Sequence, residues 1–128
     1  MRRIEPVDIN TLRSFSPKEF EIMNYFWNTE ASLSRSELME LGEGLNRNTL
    51  NILVPRLIRD GFLTTAKFVQ TKTVLARAYR PTVSRSAYLA KELGFADAGQ
   101  FLLHTMEEVL AEDTPEELLS ALRERLER

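Results

Sequence analysis

Residues 46–63, NRNTLNILVPRLIRDGFL, have the apolar spacing of a helix but carry a proline in its middle. The apolar residues recur at intervals of three and four, the spacing of one buried helical face: Leu50, Leu53, Val54, Leu57 and Ile58. Pro55 has no N–H to donate, and it should cost such a helix roughly 3 kcal/mol. The apolar face nevertheless continues beyond it, and Gly61 supplies a C-terminal stop. The stretch therefore predicts a helix over 46–60 whose proline needs an explanation.

A chain of 128 residues has the size of one domain, or of a small domain with an appendage. Hydrophobic residues make up 43% of the sequence, which is enough for a core, and charged residues make up 28%. No window approaches the roughly 18 consecutive apolar residues of a membrane span, and MRRIEPVDIN at 1–10 lacks the apolar core of a signal peptide. The absence of cysteine excludes disulfides and thiolate metal sites. We therefore expect a cytoplasmic protein without a membrane partner.

The elements around this helix define a recognisable order. The capping boxes SPKE at 16–19 and SRSE at 34–37 each predict the start of a helix, and GEG at 42–44 ends the second one. Two helices joined by a short glycine-containing turn form a helix-turn-helix. After Gly61, the segments FLTTAKFV and TVLARAYRP are rich in β-branched and aromatic residues, so they predict a β-hairpin that Pro81 closes. Three helices followed by a hairpin are the winged-helix arrangement.

Three further amphipathic helices are predicted after Pro81, the last of them opened by TPEE at 114–117. Their apolar faces are too narrow to form a core of their own, so we predict that they bury themselves against a second copy of the chain as a homodimer. The alternative is that they fold back on the winged helix. The predicted dimer interface consists of the apolar residues of these helices: Tyr88, Leu89, Phe101, Leu102, Met106, Val109, Leu110, Leu118, Leu119, Leu122 and Leu126.

The net charge of −2 conceals a strong asymmetry along the chain. Residues 46–85 contain eight basic residues and one acidic residue, a net charge of +7, whereas residues 91–128 contain four basic and ten acidic residues, a net charge of −6. A basic middle beside an acidic tail indicates a polyanionic partner for the middle alone. The alternative is that both charge runs are ordinary solvated faces.

The side of the 46–60 helix opposite its buried face carries the residue types that read DNA. An Asn side chain can bond bidentately to adenine, an Arg to guanine, and an apolar group can meet the methyl of thymine. We therefore predict double-stranded DNA as the partner. The predicted base-contacting residues are Arg47, Asn48, Asn51 and Ile52. The predicted phosphate-contacting residues are Arg56, Arg59, Lys67, Lys72, Arg77 and Arg80, of which the last four lie on the wing, 63–80.

These predictions divide the chain into a flexible N-terminal arm at 1–13, a winged-helix DNA-binding domain at 14–82 and a helical dimerisation domain at 83–128. The fold class is mostly α, an α+β winged helix. Two roles stay open at this point. Pro55 either shapes how the helix docks on DNA or is merely tolerated, and Arg2, Arg3 and Arg13 either track the minor groove or belong to a disordered arm.

Three stretches of the sequence resemble the penicillinase repressor family of bacterial winged-helix regulators: SPKEFEIMNYFW, NTLNILVPRLIRDGFLT and RAYRPTVSRSAYLAKEL. The resemblance implies a homodimeric repressor that binds a dyad-symmetric promoter site. Asn48, Asn51 and Ile52 fall where the family places base-contacting residues, but they differ from its usual Thr, Lys and Thr, so the operator should differ. One branch of the family is inactivated by proteolysis in the dimer domain, where GQFLLH lies here, which raises a regulatory protease as a further partner. Another branch senses copper through C-terminal cysteines, which this chain lacks.

Other functions are less consistent with the sequence. No phosphate-cradling glycine loop and no nucleophile motif is present, so we expect neither an enzyme nor a cofactor. His104, with Glu107 and Glu108 one turn later, could supply half of a metal site, but a lone helical histidine is far more often a surface or packing residue, so no metal is predicted. A winged helix that binds another protein and a ligand-sensing regulator with a pocket between wing and dimer helices are the alternatives to DNA binding.

Overall fold

The computed structural model describes residues 13–70, 75–112 and 116–127. These residues form six helices and one three-stranded antiparallel sheet. In chain order they are α1 (Pro17–Trp27), β1 (Leu33–Ser34), α2 (Arg35–Leu41), α3 (Arg47–Arg59), β2 (Leu63–Gln70), β3 (Leu75–Pro81), α4 (Arg85–Glu92), α5 (Ala98–Ala111) and α6 (Glu116–Leu126). The predicted α+β winged helix is confirmed. Residues 1–12 of the predicted arm, Lys72, and Thr114 and Pro115 of the predicted third cap lie outside the described residues.

Helix starts lie where side-chain caps predict them. Ser16 and Ser34 both form complete capping boxes, in which the serine hydroxyl accepts from the N3 backbone N–H and the N3 glutamate accepts from the serine N–H. Asn46 caps α3 by accepting from the backbone N–H of Thr49 at 2.8 Å. These caps satisfy N–H groups that have no partner within the helix, so they determine where each helix begins.

The end of α3 is a Schellman turn built on Gly61. The N–H of Phe62 donates to the carbonyl of Leu57 at 2.8 Å, and the N–H of Gly61 donates to Ile58 at 3.1 Å. Gly61 has a φ of +89°, a conformation that side-chain-bearing residues rarely adopt. The turn sends the chain directly from α3 into β2, so α3 and the wing are linked by only a few residues.

The strands are ordered β1-β3-β2, and all neighbours are antiparallel. The two-residue strand β1 was not predicted, because two residues show no alternation. The β2–β3 register shifts between Thr65 and Lys67, so Phe68 pairs with Arg77 and Lys67 pairs with Ala78. Residues paired across an antiparallel ladder share a face of the sheet. This shift therefore decides which wing residues face α3.

The core lies between α1, α2, α3 and the sheet. Its largest fully buried apolar side chains are Ile22, Met23, Phe26, Leu38, Leu50, Val54, Leu57, Phe62 and Leu63. Helix α4 joins this core through Tyr88, whose ring stacks on Phe15 with centroids 4.2 Å apart. The Trp27 indole N–H donates to the Val83 carbonyl at 2.9 Å and ties α1 to the segment that leads into α4. Helix α4 is thus anchored to the winged helix.

Helices α5 and α6 contain no buried residue among those described. Their exposed large hydrophobic residues are Leu102, Leu103, Met106, Leu110, Leu118, Leu119, Leu122 and Leu126. An apolar surface of this extent on two amphipathic helices is unusual for a monomer. Within the described residues, none of the helices has the length and apolar character required to cross a membrane.

Candidate nucleic-acid interface

Helix α3 has two chemically distinct faces. Leu50, Val54 and Leu57 are buried in the core, whereas Asn48, Asn51 and Ile52 are exposed, with Ile52 at 60%. Asn48 and Ile52 point away from the core because they lie about half a helical turn from the buried stripe, and Asn51 lies on the flank of that outward face. An aliphatic side chain held in solvent between two amides is poorly suited to plain hydration and well suited to a base-pair surface.

The charges along α3 are all positive. Arg47, Arg56 and Arg59 are exposed, and no acidic residue occurs within the helix. Arg59 differs from the other two because it is paired with an acidic residue: its Nε donates to Oδ1 of Asp60 at 3.1 Å. That pairing raises the pKa of Arg59 and offsets part of its charge. Arg47 and Arg56 therefore carry the positive charge of this face that no described acidic residue pairs with.

Arg13 forms hydrogen bonds with acidic residues near the end of α3 and the start of α1, so it does not extend away from the domain. Its guanidinium bonds both carboxylate oxygens of Glu19, at 2.9 and 2.6 Å, and its Nε bonds Asp60 at 2.8 Å. Burial alone would raise the pKa of Glu19, but the hydrogen bonds from Arg13 and Ser16 outweigh it and hold that pKa below its usual range. Arg13 is thus engaged within the domain, and the minor-groove hypothesis for it has no support. Arg2 and Arg3 lie outside the described residues.

The basic residues of the wing do not share one face. Arg77 lies between Leu75 and Tyr79 on one face of β3, because every second side chain of a strand points to the same side. This face lies toward α3. Lys67 and Arg80 share the opposite face with Ala78, because the bulge displaces Lys67 into register with that residue. All three basic side chains are exposed. Of these three described residues, Arg77 alone is brought together with the arginines of the helix-turn-helix.

A groove of about 620 Å³ separates α3 from the wing, and we call it the arginine groove. Three arginines from three elements line it: Arg35 of α2, Arg59 of α3 and Arg77 of β3. The remaining lining includes Pro55, Ile58, Leu75 and Tyr79. No aspartate or glutamate is among the described residues that line the groove. It is therefore a strongly positive concavity with an apolar floor.

The sequence prediction missed Arg35. The basic segment was counted from residue 46, and Arg35 precedes it as the first residue of a short helix. Its guanidinium lies over the Tyr79 ring, 5.7 Å from the centroid, so it belongs to the wing side of the domain in space. A basic residue directly after a helix cap was the only available signal, and such residues are common on ordinary helices.

A protein-family comparison matches the penicillinase repressor model over residues 15–128. The chain belongs to the penicillinase repressor family. A comparison with curated protein sequences finds no match. The match includes the helix-turn-helix, the wing and the C-terminal helices. This protein is a DNA-binding transcriptional regulator of the repressor class.

The predicted dimer residues of this repressor fall into three groups. Tyr88 is 4% exposed and lies in the chain's own core, with Leu89 packed against that core. Phe101 is half-buried and contacts Phe95, with ring centroids 5.3 Å apart, and Val109 is also half-buried. The remaining predicted interface residues are exposed: Leu102, Met106, Leu110, Leu118, Leu119, Leu122 and Leu126. Leu103, which the prediction omitted, is 54% exposed on the same helix.

His104 makes a local contact on α5. Its Nε2 lies 2.7 Å from Oε1 of Glu108, one turn later, and its ring lies 5.1 Å from that of Phe95. Among the residues that the structure describes, no group of three potential metal ligands comes together. A second cavity, of about 380 Å³, lies between Ser86 and the start of α5, and a third, of about 300 Å³, lies between α1 and α2. None of the three cavities joins the wing to α5 or α6.

Proposed function

We propose that this repressor is a homodimer that binds a dyad-symmetric operator, reading bases with α3 and contacting phosphates with the basic residues around it. The observation that carries the proposal is the outward face of α3, where Asn48, Asn51 and Ile52 are exposed together with no acidic residue in the helix. Membership in a repressor family supports DNA as the partner.

Base reading is assigned to the N-terminal half of α3. A recognition helix usually contacts base edges with its first turns. Asn48 and Asn51 each offer the donor and acceptor pair that adenine presents in the major groove, and Ile52 offers an apolar surface for a thymine methyl. Arg47, at the first helical position, can reach a guanine. Each good bidentate contact is worth about 1–3 kcal/mol of discrimination.

Phosphate contacts are assigned to the basic residues on both sides of that face. Arg56 flanks the reading residues on α3, and Arg77 faces α3 from the wing. Arg59 contributes less because Asp60 pairs with it. Lys67 and Arg80 lie on the other face of the wing, so we propose that they strengthen binding through the field of the wing more than through contact inside the groove. Lys72 is proposed on sequence grounds alone.

Dimerisation is assigned to the exposed apolar faces of α5 and α6. Seven leucines and a methionine on these helices are 39–86% exposed in the single chain. Burying them against a second copy would remove a large apolar surface from water. Two copies related by a two-fold axis would place two α3 helices on two half-sites, which is the arrangement that a dyad-symmetric operator matches.

The test is a fluorescence-anisotropy titration against promoter-region DNA from the protein's own locus, at two salt concentrations. Asn51→Ala is measured beside Gln100→Ala, which removes an exposed amide from α5, away from α3. We expect salt-sensitive, sequence-selective binding, in which Asn51→Ala loses about ten-fold of selectivity and Gln100→Ala behaves as the wild type.

Two other results would change the proposal. Binding that depends on salt but not on sequence would show that the basic surface binds DNA and that the base-reading residues are misassigned. Absence of binding at moderate salt, with retained binding to a protein, would replace the proposal with a protein-interaction module.

A further inference from the structure

We propose that the arginine groove seats one sugar–phosphate strand of the operator and that Arg35 is a phosphate-contacting residue. The inference rests on the proposed function and adds a contact that the basic segment after residue 46 does not contain. An element in the major groove and an element beside it on the duplex are separated by one backbone strand. The groove between α3 and the wing is the space in which that strand would lie.

The Arg35 side chain is held in place, and one of its N–H groups lacks a partner among the described residues. Its Nε is buried and has no hydrogen-bond partner among the described residues. Its guanidinium carbon lies 5.7 Å from the centre of the Tyr79 ring, and Tyr79 itself is buried. Stacking on a fixed ring reduces the conformational freedom that a long side chain would lose on binding. A phosphate, which accepts two parallel hydrogen bonds from a guanidinium, is the matching ligand.

Arg77, also on the wing side of the groove, is held in the same way. The Arg77 guanidinium carbon lies 5.9 Å from the centre of the Phe68 ring, its partner across the β2–β3 ladder. Arg35 and Arg77 therefore approach the groove from α2 and from the wing, each held over an aromatic ring. Two positioned guanidiniums from different elements, with Arg59 across the groove on α3, suit a chain of successive phosphates better than a single compact anion.

The floor of the groove suits the sugar of a nucleic acid. Pro55, Ile58 and Leu75 line it, and Leu75 is 60% exposed although it is aliphatic. Deoxyribose presents a largely apolar surface between charged phosphates, so an apolar floor between cationic walls complements a backbone strand. The groove is also continuous with the reading face, since Pro55 and Arg59 belong to α3. This continuity favours DNA as the occupant over a free phosphate or nucleotide.

The experiment compares wild type, Arg35→Ala, Arg35→Lys and Arg123→Ala in the same anisotropy titration. Arg123 lies exposed on α6, so its variant removes one positive charge away from the groove. For Arg35→Ala we expect affinity lower by about ten-fold on specific and unrelated duplexes alike, and a salt slope smaller by about one. Arg35→Lys keeps the charge but loses the fork and the stacking, so it should recover only part of the affinity. Arg123→Ala should match the wild type.

A second measurement distinguishes a lost phosphate contact from misfolding of the Arg35→Ala variant. Each phosphate of the duplex is replaced in turn by a neutral methylphosphonate. Wild type should lose affinity at one phosphate beside each half-site where Arg35→Ala shows no loss, while both proteins respond equally at the other phosphates.

Two outcomes would overturn the inference. An Arg35→Ala protein with unchanged affinity and salt slope, in a wild type that binds selectively, would remove Arg35 from the interface and leave the proposed function intact. In the second outcome, inorganic phosphate competes with the duplex for the wild type, and no methylphosphonate position distinguishes the wild type from Arg35→Ala. The groove would then be a free-anion site. Failure of the wild type to bind any duplex would instead contradict the proposed function itself.

Discussion

The guanidinium of Arg13 donates a hydrogen bond from Nε to Oδ2 of Asp60 at 2.8 Å, across 47 residues of sequence. The same guanidinium bonds the buried carboxylate of Glu19, which also completes the capping box of α1. Asp60 is the C-cap residue of α3. One side chain thus connects the start of α1 to the end of α3, the helix to which we assign base reading.

Removing Arg13 should destabilise the protein. Arg13→Ala would leave the carboxylate of Glu19, which is 2% exposed, without its cationic partner. Losing one partner of a fully buried pair costs about 3–5 kcal/mol, and since Arg13 itself is 36% exposed we expect about 2 kcal/mol in urea unfolding. The control is Lys18→Ala, which breaks the exposed Lys18–Glu21 pair and should change stability by less than about 0.5 kcal/mol. Equal effects for the two variants would contradict the prediction.

The same network predicts a loss of stability in acid. The folded-state pKa of Glu19 is held below its usual range, so its contribution is fully present above the unfolded value of about 4.3 and is lost as pH falls through the folded pKa. The difference in unfolding free energy between wild type and Glu19→Gln should therefore be largest near neutral pH and shrink toward pH 3. Urea unfolding at several pH values measures it, with exposed Glu30→Gln as the control. A difference independent of pH would exclude Glu19 as the titrating group.

The anchoring of α4 makes a third prediction. The backbone N–H of Phe15 donates to the Tyr88 hydroxyl at 2.8 Å, and the two rings are stacked. Tyr88→Phe keeps the ring but leaves a half-buried N–H without its acceptor, so we expect a loss of about 1–2 kcal/mol. Tyr88→Leu also removes the aromatic stacking and should cost about 3 kcal/mol. Thermal unfolding of both variants gives the comparison: an unchanged Tyr88→Phe would mean that the hydrogen bond contributes nothing, and equal losses in the two variants would mean that the ring stacking adds nothing.

The proposed dimer predicts the effect of charge on the C-terminal helices. Leu110 and Leu122 are 64% and 46% exposed in the single chain, so glutamate at either position should not disturb its fold. In a dimer each would place an unpaired charge in the interface, and we expect dissociation to rise by at least about ten-fold in sedimentation experiments. Leu41→Glu, on an exposed position of α2, is the control. A wild type that sediments as a monomer would favour the alternative in which these helices fold back.

Local chemistry explains what could be predicted from the sequence. The starts of α1, α2 and α3 were predictable because Ser16, Ser34 and Asn46 cap them through contacts within four residues. The buried and outward faces of α3 were predictable because the helical period fixes both. The same period could not show that Tyr88 lies in the chain's own core, since an apolar face looks alike whether it meets its own domain or a second copy.

Features that depend on distant residues escaped prediction. The partners of Arg13 are set by where α1 begins and α3 ends in space, and the face of Lys67 is set by a one-residue bulge. Strand β1 exists because Leu33 and Ser34 meet Tyr79 and Ala78, which no local pattern reveals. The groove position of Arg35 follows from the same pairing, because β1 brings the start of α2 beside β3.

Pro55 can now be tested as part of the groove. Helix α3 runs through it without interruption, although the carbonyl of Asn51 has no N–H at position 55 to accept from. Pro55 is exposed on the groove side, so water can solvate that carbonyl. Pro55→Ala should therefore stabilise the protein by about 1–3 kcal/mol, because it restores the helical hydrogen bond and removes the ring from the preceding turn.

The informative quantity is the operator affinity of this more stable protein. If the ring helps to form the groove floor, Pro55→Ala should bind the operator several-fold more weakly while its circular dichroism and melting temperature show a better helix. Pro17→Ala is the matched control, because proline at the first position of α1 is favourable and its loss should neither stabilise the protein nor alter binding. Unchanged affinity in a stabilised Pro55→Ala would mean that the residue is only tolerated, and that the backbone strand would rest on Ile58 and Leu75 alone. A weaker complex from a more stable helix would show that stability at this position is given up for the shape of the interface.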